Sequence, residues 1–590
     1  MKERILLSTI PGPRDLVDGI DLYDIMAARL ARGQGVFTPS SHAHCYALYL
    51  IAENLRADVT VLENPTWEDF EAEAAKGYDY FGTQLMAAYF PQTVRMLEIV
   101  RSRSPETVTV AGGYGGLYIT DPPEGEYTDL ARRIEELTDH VCREEGVRWF
   151  RRLIGDVPAD RPIRQRYIPS GGSSIKGLEQ LVRARQSMVL AGLGCPNGCE
   201  FCATSAFFKR RKIRVASPSE LYTEMRECVL QSENPSAAFT IFDEDLFTDV
   251  RYVRELGELI RADEEMLPHG GIRYFAFGSL RSLSQFSFEE LVANGLSTVW
   301  IGVESTNDDV VTSEHAIAKR ACDDVHGFIR GLQDHGIGVT ASTILGWDFH
   351  TPENIVADID AFVALEPLFY QVTPLIPCPG TALYRRLQED GRFLAGQDWS
   401  FTQYQDDEVM KRKNFETGEL RRYYDLAVKK LYEENGPSQA RIANVSLNGY
   451  LKFKDSDDPY LHARAQANLD GARGVRVFLR ACEELSPTER AAQKARDVEA
   501  RLLEVCGEMG DDDRRTSESL LTLLRERKER LDRGEKEPVT YAPARRTTYA
   551  GDGQPPKVTR EAHDSSGGEV RLQPLPSSAR KPALSLSSLA

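Results

Sequence analysis

No stretch of the 590-residue chain reaches the roughly 18 uninterrupted apolar residues of a membrane-spanning helix. The N-terminus also lacks the charged-then-apolar pattern of a secretory leader. Cysteine is sparse: ten in all, with no regular pairing in their spacing. That excludes a disulfide scaffold and suits a reducing interior, the cytoplasm by default. Positive charge is in deficit, 72 Lys and Arg against 90 Asp and Glu, a net charge of −18. A broad nucleic-acid-binding surface is therefore not expected. One local basic run, Lys209-Arg210-Arg211-Lys212, reads as a solvated helix end or loop. No internal repeat stands out. What the chain has is length and 41% hydrophobic residues, enough for about three separate cores.

The most informative stretch is Cys195-Pro-Asn-Gly-Cys199-Glu-Phe-Cys202, with cysteines spaced C-x3-C-x2-C. Thiolates are soft ligands suited to iron, and a cubane [4Fe-4S] cluster normally takes four of them. Three in eight residues hold three irons and leave the fourth open to a small molecule. Gly194, Pro196, Asn197 and Gly198 let a short backbone wrap closely around such a group. A zinc knuckle or buried unligated cysteines are the alternatives, although no paired C-x2-C half or fourth ligand is evident nearby.

Residues 1–155 alternate strand-like and helical patterns. Strands are expected at Arg4 to Thr9, Asp58 to Leu62, Asp79 to Gly82 and Val108 to Ala111, with helices at His42 to Arg56, Trp67 to Lys76 and Gln92 to Arg103. Such alternation predicts an α/β fold, a doubly wound Rossmann-like parallel sheet that binds ligands at the carboxyl ends of its strands. Candidate binding residues there are Thr83, Gln84, Gly112 and Gly113; a plain scaffold turn explains the glycines equally well. His42 and His44, on the first helix, read as structural.

Residues 156–185, rich in Pro, Arg, Gly and Ser, read as a linker. From 186 to 385 the alternation resumes with six strands, Ser187 to Ala191, Ala238 to Phe242, Ile272 to Phe277, Thr298 to Gly302, Val339 to Ile344 and Tyr370 to Pro374. Six such units make a partial (β/α)6 barrel whose open side admits a large substrate. Asp243 and Asp245 follow the second strand, where carboxylates accept well from an ammonium group; helix capping is the alternative. Ser279, Glu304 and Gly346 follow the third, fourth and fifth strands. Trp347 reads as an ordinary packed side chain, and the lone Cys378 as a weak candidate for donating hydrogen or a proton.

Residues 386–533 read as a mainly helical cap, and 534–590, rich in Pro, Gly, Ser and Arg, as a disordered tail. The segment Val445 to Phe453 reads as packing of the cap onto the barrel, with a hydrophobic substrate pocket as the alternative.

The cysteine octapeptide, with Phe201 before its last cysteine, closely resembles the cluster motif of the radical S-adenosylmethionine (SAM) superfamily. The segments "ALYLIAENLRADVTVLE", "GYDYFGTQ" and "VTVAGGYGG", and the later Pro377-Cys-Pro-Gly-Thr-Ala-Leu-Tyr384, resemble its cobalamin-binding class. The resemblance implies a cluster on Cys195, Cys199 and Cys202 whose open iron chelates SAM, and reductive cleavage to a 5′-deoxyadenosyl radical. It further implies the SAM ammonium near Asp243 and Asp245, ribose near Glu304, adenine near Gly346, and an electron donor such as ferredoxin or flavodoxin. Cobalamin is expected on the N-terminal domain, although the Asp-x-His-x-x-Gly signature of many cobalamin proteins is absent, so no cobalt ligand is named. The implied activity is methylation of an unactivated carbon in a small, lipid-like or natural-product substrate. The alternatives are a non-methylating radical cyclisation or coupling and, in another class, an iron–sulfur electron carrier.

Overall fold

The computed structural model describes residues 2–560, apart from stretches within 14–31 and residues 42–44, 166–169, 177–181, 232–236, 308–323, 398, 400–408, 537–543 and 552–556. It also describes Leu584–Ser585. His42 and His44 lie outside the described residues.

In the first third, strands Arg4–Ser8, Asp58–Glu63, Tyr80–Gln84, Val108–Gly112 and His140–Cys142 pair in parallel. Their spatial order, 2-1-3-4-5 in chain order, reverses between Arg4–Ser8 and Tyr80–Gln84. Alternate side chains serve opposite faces, as the two-residue strand period requires: Leu6 and Phe81 join one buried cluster, Ile5 and Leu7 the other. Crossover segments on both sides splay apart where the order reverses, and a ligand crevice opens there at the carboxyl ends. The fifth strand, only three residues long, left no period to read.

A further strand comes from an unexpected place. Arg545–Tyr549, within the expected disordered tail, pairs antiparallel with Asp58–Glu63, and Lys557–Arg560 pairs on its outer side. Thr547 is fully buried, and Arg546 donates through Nε and Nη2 to Glu73 at 3.0 and 3.0 Å. The expectation failed because the ordering contacts are backbone ladder bonds to an open sheet edge and an ion pair made through two nitrogens, neither of which needs a large apolar side chain.

The second sheet carries six parallel strands in chain order: Val182–Leu190, Ala238–Phe242, Arg273–Gly278, Leu296–Glu304, Gly338–Leu345 and Phe369–Pro374. The side toward the helices is filled by residues such as Tyr274, Ala276, Val299, Ile301, Val339 and Val372, all buried. Each large one contributes about 1.5–3 kcal/mol relative to exposure. The expected linker is partly a strand: Ser170–Ile175 pairs antiparallel with Val182–Leu190 and with Pro39–Ser41. Its Gly/Ser composition advertises a loop, but backbone pairing to the edge of an open barrel asks little of side chains.

Six helices, Leu420–Asn435, Ser438–Phe453, Pro459–Arg476, Leu479–Leu485, Glu489–Cys506 and Asp511–Asp532, form the C-terminal part. The second and third of them dock at the amino ends of the barrel strands. Tyr460 Oη donates to Ile272 O at 2.7 Å, and a Cβ on Gly336 would meet Gly449 Cα at 2.5 Å. The second and third helices therefore back the barrel at the end opposite its functional mouth, whereas the first reaches the carboxyl end, where a Cβ on Gly346 would meet Leu420 Cδ2 at 2.7 Å. The segment from Val445 to Phe453 belongs to a packed helix, with Val445, Leu447 and Phe453 buried. Among the described residues, no helix is long and apolar enough to cross a membrane.

Candidate active site: two adjoining cavities

The cysteine loop starts one residue after the short strand Gly192–Leu193 and ends at the short helix Ala203–Phe207. Gly194 has φ +79°, and a Cβ there would lie 2.0 Å from Arg211 O. The amide of Cys202 donates to Cys199 O at 3.1 Å, closing the turn. All three cysteines line one cavity of about 490 Å³. Burial pushes the Cys195 thiol up to about 12, and a bound cation favours its thiolate. Among the described residues, no three His, Cys, Asp or Glu side chains gather as the ligands of one metal ion do. The three thiols instead face a shared space large enough for a polynuclear group, and their softness suits iron–sulfur chemistry.

Asp243, Glu244, Asp245, Ser279 and Glu304 line the same cavity, so the structure brings these sequence candidates together with the cysteines. Asp243, its side chain fully buried, is paired with Lys212 Nζ and with Arg214 Nη1 at 3.1 Å. This corrects the expectation that the basic run is solvated throughout, since Lys212 turns inward to a buried charge. Asp245 accepts from Ser279 Oγ at 2.8 Å, Ser282 Oγ at 2.6 Å and Asn197 Nδ2 at 2.9 Å. It thereby ties the cysteine loop to the third strand, and Ser279 also caps the helix Leu280–Leu283.

Glu244, between them, was missed by sequence reasoning, although three consecutive acids after a strand were the available signal. Its Oε1 accepts from Tyr114 Oη at 3.0 Å, while its buried Oε2 has no hydrogen-bond partner among the described residues. Burial, followed by the neighbouring charge of Asp243, raises its carboxyl above the ordinary range.

Glu304 stands at φ +65°, where the register between the fourth and fifth strands shifts. A non-glycine residue held in the left-handed region is strained, and such strain concentrates at functional sites. Gly346, at φ +83°, donates its amide to His350 Nδ1 at 3.1 Å. That acceptor role leaves the ring proton on Nε2, which faces Asp358 Oδ2 at 2.9 Å; Ser305 Oγ donates to the same oxygen at 2.6 Å. One buried network thus fixes the ends of the fourth and fifth strands. Trp347 packs edge-on against Phe201 with ring centroids 5.6 Å apart, agreeing with its reading as a packed side chain.

A second cavity, about 600 Å³, lies over the carboxyl ends of the first sheet. Thr83, Gln84, Gly112 and Gly113 line it, as the strand-end argument requires. Gly115 approaches so closely that a Cβ would stand 2.6 Å from Leu85 O. Trp149, Phe150, Phe207 and Phe208 supply apolar wall. A glycine floor at the switch point with aromatic sides suits a large flat group. Among the described residues lining it there is no histidine. Cys378, expected near the substrate end of the barrel, is on this cavity rather than the first, and burial pushes its thiol up to about 11. The two cavities share Tyr114, Leu193 and Thr204 as common wall. No residue lining either cavity comes from the C-terminal helices.

An open parallel barrel with a trio of thiols at its mouth, beside a doubly wound sheet with its own cavity, has the form of an enzyme that holds two cofactors side by side. Residues 189–362 match the profile of the Radical SAM superfamily. The chain is 25% identical over 346 residues to a bacteriochlorophyllide d C-12(1)-methyltransferase of Chlorobaculum tepidum, across 58% of this chain and 72% of that one. It is 24% identical over 214 residues to a hopanoid C-2 methylase of Rhodopseudomonas palustris, across 34% and 37%. Among solved structures, the radical SAM methyltransferase TsrM from Kitasatospora setae, with tryptophan and a SAM analogue bound, aligns at TM-score 0.49 and 15% identity, across 73% of this chain and 89% of that one.

Proposed function

We propose that the protein methylates an unactivated carbon of a lipid-like or natural-product substrate, using a [4Fe-4S] cluster and SAM in the first cavity and a corrinoid in the second. The observation that carries this reading is the shared wall. A substrate lodged at Tyr114, Leu193 and Thr204 touches both cavities at once. Bound there, the cluster and SAM supply one-electron chemistry that removes a hydrogen atom, and the corrinoid supplies a transferable methyl group.

The chain's own residues hold, orient and exclude water. Cys195, Cys199 and Cys202 supply three thiolates, and the Asn197–Asp245 bond fixes their loop. Of the three consecutive acids, Asp243 is already neutralised by Lys212 and Arg214, and Asp245 is saturated by Ser279, Ser282 and Asn197. Glu244 retains a carboxylate oxygen with no partner among the described residues. Glu244, in place of the expected Asp243 and Asp245, would accept from the SAM ammonium, with those two holding its surroundings. Glu304, on the first cavity, would accept from the ribose hydroxyls, while Gly346, expected near adenine, lines neither cavity and is held by His350 behind the site. Phe207, Phe208 and Trp149 keep the second cavity dry. An electron donor such as a ferredoxin or flavodoxin completes the scheme.

The test is anaerobic purification with reconstituted iron and added hydroxocobalamin. An ultraviolet–visible spectrum reads cluster and corrinoid together, and product analysis follows. Both 5′-deoxyadenosine and S-adenosylhomocysteine are expected. Deoxyadenosine alone supports a non-methylating radical reaction instead, and neither product leaves an electron carrier.

A further inference from the structure

Tyr114 belongs to one domain and works at the wall of the other. It sits in Gly112-Gly113-Tyr114-Gly115-Gly116, at the carboxyl end of the fourth strand of the first sheet. The loop is held by its own backbone: Leu85 N donates to Gly112 O at 2.7 Å, Gly115 N to Leu85 O at 3.1 Å, and Gly116 N to Gly113 O at 2.9 Å. Gly113, at φ +113°, takes a conformation that a side chain would resist. From this turn the Tyr114 ring stands edge-on to Phe207 and Phe208, with centroids 5.2 and 6.1 Å away, on the segment that follows Cys202. Its hydroxyl ends on Glu244 Oε1 at 3.0 Å.

The same five-residue turn therefore does two things. Its backbone floors the cavity over the first sheet, and its single large side chain sets the carboxyl of Glu244 at the cavity of the cysteines. A flat ligand placed on Gly112, Gly113 and Gly115 would narrow the motion of the turn. A narrower turn holds the hydroxyl, and through it the carboxyl, closer to one position. Ordering already achieved by one ligand is not lost again when the second binds, which is the physical origin of positive coupling without a large conformational change.

We propose that Tyr114 is a positioning residue that couples the two cavities: a corrinoid on the 112–115 backbone tightens the binding of SAM beside the cysteines through the Tyr114–Glu244 hydrogen bond. This rests on the cofactor assignment made under the proposed function. By linkage the effect is reciprocal, so SAM tightens the corrinoid by the same factor.

The experiment is equilibrium dialysis of SAM against the full-length, cluster-reconstituted chain, with and without saturating hydroxocobalamin. Wild type, Tyr114→Phe and Glu244→Gln are compared, with far-UV circular dichroism confirming that each is folded. In the wild type, hydroxocobalamin lowers the Kd for SAM about five-fold or more. Tyr114→Phe keeps the ring and its packing but brings the ratio to about one, while hydroxocobalamin alone still binds. Glu244→Gln weakens SAM in absolute terms yet retains the ratio, because its amide oxygen still accepts from Tyr114. A merely structural role for Tyr114 lowers both affinities without changing their ratio. A wild-type ratio near one, or an unchanged ratio in Tyr114→Phe, overturns the coupling and leaves the cofactor assignment standing. Failure of hydroxocobalamin to bind the wild type overturns that assignment and the coupling with it.

Discussion

Arg386 Nη2 donates to Glu200 Oε1 at 2.8 Å, so the helix after the sixth barrel strand grips the residue between Cys199 and Phe201. The grip is doubled by the backbone, where Leu383 N donates to Glu200 O at 3.0 Å. Arg386 Nη1 also reaches Asp348 Oδ2 at 3.1 Å, and Arg392 holds the same carboxylate through two nitrogens, each at 2.8 Å. The cysteine loop is thus fastened from outside the cavity by a side chain 186 positions away in the sequence.

Arg386→Gln is expected to leave the barrel folded but to loosen this loop. One hydrogen bond between charged groups is worth about 1.5–3 kcal/mol, discounted here because the side chain is partly exposed. Iron retained per chain after reconstitution and desalting falls several-fold, while the far-UV spectrum is unchanged. Equal iron retention in variant and wild type counts against the fastening.

Glu304→Gly separates stability from binding. Glycine relieves a left-handed conformation that costs other residues about 1 kcal/mol or more, so the melting temperature rises or holds. The affinity of the reconstituted protein for SAM, measured by dialysis, falls about ten-fold with the loss of one charge-assisted hydrogen bond. A variant that binds SAM as well as wild type removes Glu304 from the site.

The C-terminal strand responds to acid. Burial disfavours the charged form of Glu73, but hydrogen bonds from Arg546, Lys76 and Tyr78 outweigh it and hold the carboxyl at about 2. A free Glu titrates near 4.3, so the stabilisation is complete above about pH 4.3 and is lost as pH falls toward the folded value. Protection of residues 545–549, measured as the observed exchange rate relative to the intrinsic one, is expected to fall as pH drops below about 4.3, and Glu73→Gln should remove that step. Protection in wild type that stays constant through this range contradicts this anchoring.

Gly115→Ala tests the floor of the second cavity. The added Cβ stands 2.6 Å from Leu85 O, which is backbone and cannot swing aside. The turn must shift, costing about 1–3 kcal/mol, and hydroxocobalamin binding weakens at least ten-fold. Unaltered binding means that the corrinoid does not rest on this turn.

Much of this architecture is written in local periodicity. The six barrel strands fall within a few residues of expectation, and Ala238–Phe242 matches at both ends, because buried parallel strands are short apolar runs between helices. The cysteine spacing pointed to the first cavity, and strand-end logic placed Thr83, Gln84, Gly112 and Gly113 on the second. Contacts between distant segments carried no such signature. Neither Tyr114 with Glu244 nor Arg386 with Glu200 lies at a helical or strand spacing. Ser170–Ile175 and Arg545–Tyr549 are strands because an edge elsewhere offers hydrogen bonds, and composition alone reads such segments as linker or tail. The position of the C-terminal helices on the barrel was equally hidden, since periodicity gives a helix its apolar face but not the surface it meets.

The most direct test of the central claim is Mössbauer spectroscopy of anaerobically reconstituted, iron-57-labelled protein, recorded with and without SAM. Three cysteine ligands around one cavity predict a [4Fe-4S] spectrum in which a single iron site changes its isomer shift and quadrupole splitting when SAM is added, and loss of that cluster in Cys199→Ser. Four equivalent iron sites indifferent to SAM, or no cluster at all, would contradict the account.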